Sequence, residues 1–243
     1  MMKLTLLHLF PELLNLYGDR GNMKVFEKRC RLRNIELEVI SLPFSEEIDL
    51  TDVDIVYLGG ASEKDLQKIA EKLKNHREEL LRYRDEEGVL LAVATGFPLL
   101  GHSFVAEGAV HEGLGLIPMT TEAGAEKLIG NVAVDSPLGI LAGFENHTGR
   151  TRLAPGADPL GTVLSGHGNN GEDQTEGAIV KSFIGTHLSG PLLPKNPEVC
   201  DLLIGKAIQK KYGSFPELAP IACEHEKLAK GYVLNYGNRT HKR

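Results

Sequence analysis

Residues 87–102 read Glu-Gly-Val-Leu-Leu-Ala-Val-Ala-Thr-Gly-Phe-Pro-Leu-Leu-Gly-His, the make-up of a nucleophile elbow. Five apolar residues from Val89 to Val93 suit a strand buried on both faces. The small-residue corner Ala94-Thr95-Gly96 follows, and then an apolar segment that reads as a short helix. Such a corner lifts one side chain above the end of a sheet, and glycine lets the next backbone come close. In an enzyme of acyl transfer that side chain is Ser or Cys; here it is Ala94. The frame for covalent chemistry is present without its reactive atom.

Acyl transfer also needs a base and backbone N–H donors for an oxyanion. Gly59-Gly60, after an apolar run, is placed to offer donors, although an ordinary strand-to-helix turn has the same composition. His187 and Ser189, in Gly-Thr-His-Leu-Ser-Gly-Pro, end another apolar run. His187 at a strand end has the chemistry of a base, but a lone His is more often a satisfied structural side chain. Thr95 or Ser189 with His187 is the weaker alternative nucleophile pair. Residues 144–151 and 166–173 are dense in Gly, Asn and Asp, which suits tight turns as well as a polar ligand. Cys30 has core spacing on a helix. Cys223 and His225 are too close in sequence to face each other across a site, and no metal-ligand spacing occurs.

The elements that position these residues alternate. Strands are predicted over 3–10, 36–40, 54–58 and 89–93, with helices after Asn22 as a cap and after Ser62. This alternation predicts an α/β fold with a mostly parallel sheet covered by helices on both faces. From residue 114 onward short β segments separated by Gly, Asn, Asp and Pro predict a β-rich second half. Asn196-Pro197-Glu198 opens a helix to about Tyr212, and a last helix is expected between Pro216 and Gly231, interrupted near Pro220. One domain over 1–243 is the simplest organisation. The 243 residues carry a net charge of −6, which argues against nucleic acid or an anionic membrane as partner. The basic end, 238–243, reads as a solvated tail. No apolar run approaches the ~20 residues of a membrane span. Three scattered cysteines fit a reducing, cytoplasmic setting.

Five stretches carry a more specific signal: residues 13–22 (Leu-Leu-Asn-Leu-Tyr-Gly-Asp-Arg-Gly-Asn), 128–131 (Leu-Ile-Gly-Asn), 143–151 (Gly-Phe-Glu-Asn-His-Thr-Gly-Arg-Thr), 168–173 (Gly-Asn-Asn-Gly-Glu-Asp) and 190–197 (Gly-Pro-Leu-Leu-Pro-Lys-Asn-Pro). In this order they resemble the class I glutamine amidotransferases of the CobB/CobQ type, over nearly the whole chain. The resemblance implies a cysteine thiolate that attacks the glutamine side-chain amide and a histidine base. It further implies a heterodimer in which ammonia passes to a Mur-ligase-like (MurT-type) partner that amidates the D-glutamate of lipid II with ATP. No metal or cofactor is expected on the glutaminase side.

The sequence departs from the family at the sites that matter. The nucleophile position is Ala94, the base position is Ser189 with His187 two residues earlier as possible substitute, and a glutamine position in the elbow is Pro98. In the substrate-binding set, Gly60 and Thr95 stand beside Ala61, where a third glycine is expected, and Lys127, where an arginine is expected. A lysine cannot reproduce a bidentate guanidinium contact with a carboxylate. The expectation is a glutaminase scaffold that no longer hydrolyses glutamine, or a non-catalytic interaction subunit on that scaffold.

Overall fold

The computed structural model describes residues 2–240, with side chains as far as residue 235; the side chains of the basic tail 238–243 lie outside the described residues. Four strands and the helices between them build the first half. Strand β1 (Met2–Leu9) leads to α1 (Arg20–Arg31), β2 (Ile35–Leu42) follows, β3 (Ile55–Leu58) leads to α2 (Glu63–Asn75) and α3 (Arg77–Asp85), and β4 (Val89–Val93) leads to the short α4 (Gly96–Leu99). A hairpin, β5 (Ser103–Ala106) and β6 (Ala109–Glu112), comes next. Then follow β7 (Met119–Ser136), β8 (Gly139–Leu153), β9 (Gly161–Ser165), β10 (Thr175–Glu176), β11 (Ala178–Val180), β12 (Phe183–Thr186), α5 (Pro197–Tyr212) and α6 (Glu224–Thr240).

The main sheet has the order β11-β12-β4-β3-β1-β2, parallel throughout except for the antiparallel edge β11. Its strands alternate between two cores. Leu7, Val56, Leu58, Leu90 and Ala92 face α2 and α3, which contribute Leu66, Ile69, Leu73 and Leu80. Leu6, Ile55, Tyr57, Leu91 and Val93 face α1 and α5, which contribute Phe26, Cys30, Leu203 and Ile204. The fold is therefore α/β with helices on both faces, as the alternation requires. A second, antiparallel sheet, β10-β9-β7-β8, forms the β-rich part.

Four local expectations are corrected. Asn22 does not cap α1; it lies buried inside the first turn, donating to the Tyr57 hydroxyl (2.7 Å) and accepting from the Leu193 N–H (2.8 Å). A buried amide with partners on two other segments gains more from them than from the helix end. Asn196 precedes α5, but its side chain bonds the Ala142 N–H and C=O instead of a helix amide. The last helix begins at Glu224, after Pro220, and runs past Gly231. Where short β segments were expected from residue 114 onward, Met119–Ser136 and Gly139–Leu153 are two long strands. They pair across a register shift between Ala123 and Leu128. No helix among the described residues is long and apolar enough to cross a membrane.

Candidate active site

Strands β3, β4 and β12 are sheet neighbours, so their C-terminal ends lie side by side. That brings Gly59-Gly60, the 94–96 corner and His187 to one place, where ligand sites of open α/β sheets form. Ala94 has φ +52°, the left-handed conformation of an elbow residue, and its N–H donates to the Thr186 carbonyl at 2.9 Å. Gly96 is required by close approach: a Cβ there would stand 2.3 Å from the Gly59 carbonyl oxygen. Gly60 is nearly as confined, its Cβ position lying 3.2 Å from the Ala94 methyl.

An alanine held left-handed is strained, and here the strain positions no functional group. Ala94→Gly is expected to stabilise the chain by about 0.5–1 kcal/mol; a lower midpoint in denaturant unfolding would show that the methyl's packing outweighs the strain.

A cleft of about 110 Å³ opens over this corner and includes Tyr17, Ala61, Thr95, Pro98, Lys127 and His187 in its wall. Of the residues singled out from sequence, Ala61, Thr95, Lys127 and His187 thus share one cavity. Lys127 is solvent-exposed there. Ser189 does not join them. Its Oγ donates to the Phe144 carbonyl (2.7 Å), and its backbone pairs with Phe144 in both directions. Thr95 Oγ1 is also committed, donating to the Ala61 carbonyl (2.9 Å) and accepting the Ala61 N–H (2.7 Å). Neither hydroxyl is hydrogen-bonded to His187.

The Gly59-Gly60 donors are partly spent. The Gly60 N–H donates to Asp19 Oδ2 at 2.6 Å. Asp19 is fully buried, and burial pushes its carboxyl up to about 6 against the pull of that N–H and of the Tyr57 hydroxyl. The Thr95 N–H has no hydrogen-bond partner among the described residues, leaving one elbow donor available to an oxyanion.

His187 is buried, and burial together with the neighbouring His147 holds its imidazole well below the usual range, so the ring is neutral. Its Nε2 lies 3.2 Å from Thr151 Oγ1, which bonds Thr121 Oγ1 at 2.9 Å. The rings of His187 and His147 stack at 3.7 Å, 8° from parallel. Behind them stands Glu176, whose Oε1 accepts from the Thr186 hydroxyl (2.5 Å) and the His187 N–H (2.9 Å). The Glu145 carboxylate accepts the His167 and Gly168 N–H groups at 2.8 and 2.9 Å.

Sequence reasoning missed Glu145, His147, Thr151 and Glu176, reading the first three as turn. Those three lie on β8 at alternate positions, and residues two apart on a strand share a face, whereas Glu176 ends β10. Glu-x-His-x-Gly-x-Thr over 145–151 therefore carried the signal.

Burial raises the Glu176 carboxyl from 4.5 to about 7, opposed by the Thr186 hydroxyl and reinforced by Glu145. Between about pH 4.5 and 7 the unfolded chain binds fewer protons at this group than the folded one, so its contribution to stability falls as pH rises. Glu176→Gln is expected to flatten that part of the stability–pH curve, which urea midpoints measured from pH 4.5 to 7.5 would register.

The CobB/CobQ-like glutamine amidotransferase domain matches residues 5–197. The chain is 37% identical to the Lipid II isoglutaminyl synthase (glutamine-hydrolyzing) subunit GatD of Staphylococcus aureus, covering 100% of this chain and 99% of that protein. It is 34% identical to the GatD subunit of Streptococcus pneumoniae, over 87% of this chain and 83% of that protein. Among solved structures, a glutamine amidotransferase from Thermotoga maritima superposes with a TM-score of 0.54 at 15% identity, covering 96% of this chain and 94% of that one. The Trypanosoma brucei CTPS glutaminase domain with bound acivicin superposes at 0.55 and 11% identity, over 89% and 98%. These two likenesses concern the fold.

Proposed function

This chain belongs to the CobB/CobQ-like glutamine amidotransferase family, and we propose that it fills the place of the GatD subunit in a lipid II isoglutaminyl synthase without hydrolysing glutamine itself. The observation that carries the second half is the Ala94 methyl at the elbow, φ +52°. Glutamine hydrolysis by this route requires a thiolate to form a thioester, a base to set up the thiolate, and donors for the tetrahedral oxyanion. A methyl group forms no thioester. The nearby hydroxyls of Thr95 and Ser189 are committed to backbone groups, and His187 is bonded to Thr151.

The first half rests on likeness to the two GatD subunits over most of the chain's length. In this reading residues 1–243 act as one amidotransferase-like domain. It docks as a heterodimer on a Mur-ligase-like (MurT-type) partner that amidates the D-glutamate of lipid II. A cytoplasmic setting belongs to the same proposal and is supported by the free thiols Cys30, Cys200 and Cys223.

Two measurements on the purified full chain test it. Incubated with L-glutamine, it is expected to release ammonia no faster than buffer. Co-expressed with a Mur-ligase-like partner, it is expected to elute as a one-to-one complex. Steady turnover of glutamine would overturn the inactive reading, and a folded chain that binds no such ligase would overturn the partnership.

A further inference from the structure

Lys195, in the stretch Gly-Pro-Leu-Leu-Pro-Lys-Asn-Pro, is a buried amine without a counter-charge. Its side chain folds back on its own turn: Nζ donates to the Gly190 carbonyl at 2.6 Å and to the Pro191 carbonyl at 2.7 Å. The residue is 9% exposed, and among the described residues it pairs with no carboxylate. Burial pushes the ammonium down to about 8. The neutral amine keeps two hydrogens, enough for both carbonyls, and its lone pair takes the remaining tetrahedral position. Lys195 forms part of the wall of a cavity of about 400 Å³ between α5 and the segment entering α6. The acids of that wall are already matched: Glu198 with Lys230, Asp201 with Arg29 and Arg33, and Glu226 with Lys28. Lys227, in the same wall, is matched by none among the described residues. The cavity thus joins a nucleophilic nitrogen to an unmatched cation and offers no free carboxylate.

We propose that Lys195 is a site of reversible carbamylation by dissolved carbon dioxide. The Nζ lone pair attacks the carbon of CO2. As the N–C bond forms, one C=O π pair moves onto oxygen, and one N–H proton leaves to water. The products are –NH–COO⁻ and one proton. Carbon dioxide is small and uncharged, so it enters the cavity without the desolvation cost of an ion. The carbamate is an anion, so a buried cation without a partner gives way to a negative charge in a wall that holds the unmatched Lys227. Its nitrogen keeps one hydrogen, and one of the two carbonyls therefore gives up its donor. Pro191 packs against Gly18 and Gly21, on either side of Asp19, so a change in this turn bears on the segment that holds the Gly60 N–H. The site rests neither on the inactive elbow nor on the ligase partnership.

Carbon-13 bicarbonate added to the full chain at pH 8 in a sealed sample tests the site by NMR. A carbamate carbonyl resonance is expected that grows from pH 7 to 8.5 at constant dissolved carbon dioxide, as the amine loses its proton. Lys195→Arg is expected to lose that resonance: a guanidinium still has donors for both carbonyls but keeps its charge. Trapping with a trialkyloxonium salt, followed by peptide mass spectrometry, reads the unsubstituted chain and so does not depend on how the variant folds. With an ordinary lysine near about 10.4, the alkylated carbamate is expected on Lys195 at roughly ten times or more its level on Lys227. A folded Lys195→Arg with the same carbamate resonances as the parent chain, or trapping no heavier at Lys195 than at Lys227, would overturn the site.

Discussion

Ala94→Cys alone is expected to hydrolyse glutamine at least 100-fold more slowly than the double variant Ala94→Cys/Ser189→His. The elbow accepts a cysteine readily, since φ +52° already holds a non-glycine residue there. A thiol of ordinary pKa near 8.5 is only a few per cent thiolate at neutral pH, and so depends on a base. His187 is a poor substitute: it is hydrogen-bonded to Thr151 and stacked between His147 and the edge of Phe97. A positioned base contributes roughly 10²–10⁴-fold, which sets the expected gap. The double variant should still fall short of an intact site, because the Gly60 N–H is held by Asp19 and loss of one oxyanion donor costs about 10²–10³. Ammonia release under saturating glutamine measures all of this. Equal rates for single and double variants would mean that His187 serves as base in place.

That prediction could be framed from sequence because the α/β rule puts strand ends together. Val89 to Val93 and the apolar run before Gly59 were legible as strands of a parallel sheet, and adjacency of β3 and β4 follows from the crossover through α2 and α3; the run before His187 was legible only as a short β segment, and β12 reaches β4 after the whole of β5–β11. Less was legible where the signal is conformational. The β5–β6 hairpin turns on Glu107-Gly108 with φ +50° and +77°, a mirror-image turn without the Asn-Gly or Asp-Gly that announces one. The long β7–β8 ribbon was split in the reading because a bulge interrupts its alternation between Ala123 and Leu128. Ser189 lies beyond the end of β12, where no strand periodicity fixes its direction, so its turn toward Phe144 needed coordinates. Asp19 stood within a recognised stretch, yet its bond to Gly60 spans 41 residues and left no local trace.

The largest loss of stability from one side chain is expected at Asp201→Ala, far from the cleft. Asp201 on α5 receives two guanidinium groups. Arg29 Nε and Nη2 reach it at 2.5 and 2.6 Å, and Arg33 Nη1 and Nη2 at 2.9 and 2.8 Å. Both arginine side chains are 4% exposed, against 26% for the carboxylate. Arg29 also donates to Cys223 Sγ and Arg33 to the Ala219 carbonyl, so the cluster ties α1 and α5 to the segment leading into α6. Removing the carboxylate leaves two buried cations facing each other, which costs about 3–5 kcal/mol. For a chain of this size that is roughly 10 °C or more in melting midpoint. Burial works to raise the Asp201 carboxyl, but the hydrogen bonds from Arg29 and Arg33 prevail and hold it below its usual 3.8. A depressed folded pKa places this stabilisation above the unfolded value, to be lost as pH falls through the folded one. The gap between Asp201→Ala and the parent chain should therefore be full at pH 7 and close only in acid, below about pH 4. A variant within about 1 kcal/mol of the parent at pH 7 would show that solvent reaches the pair and screens it.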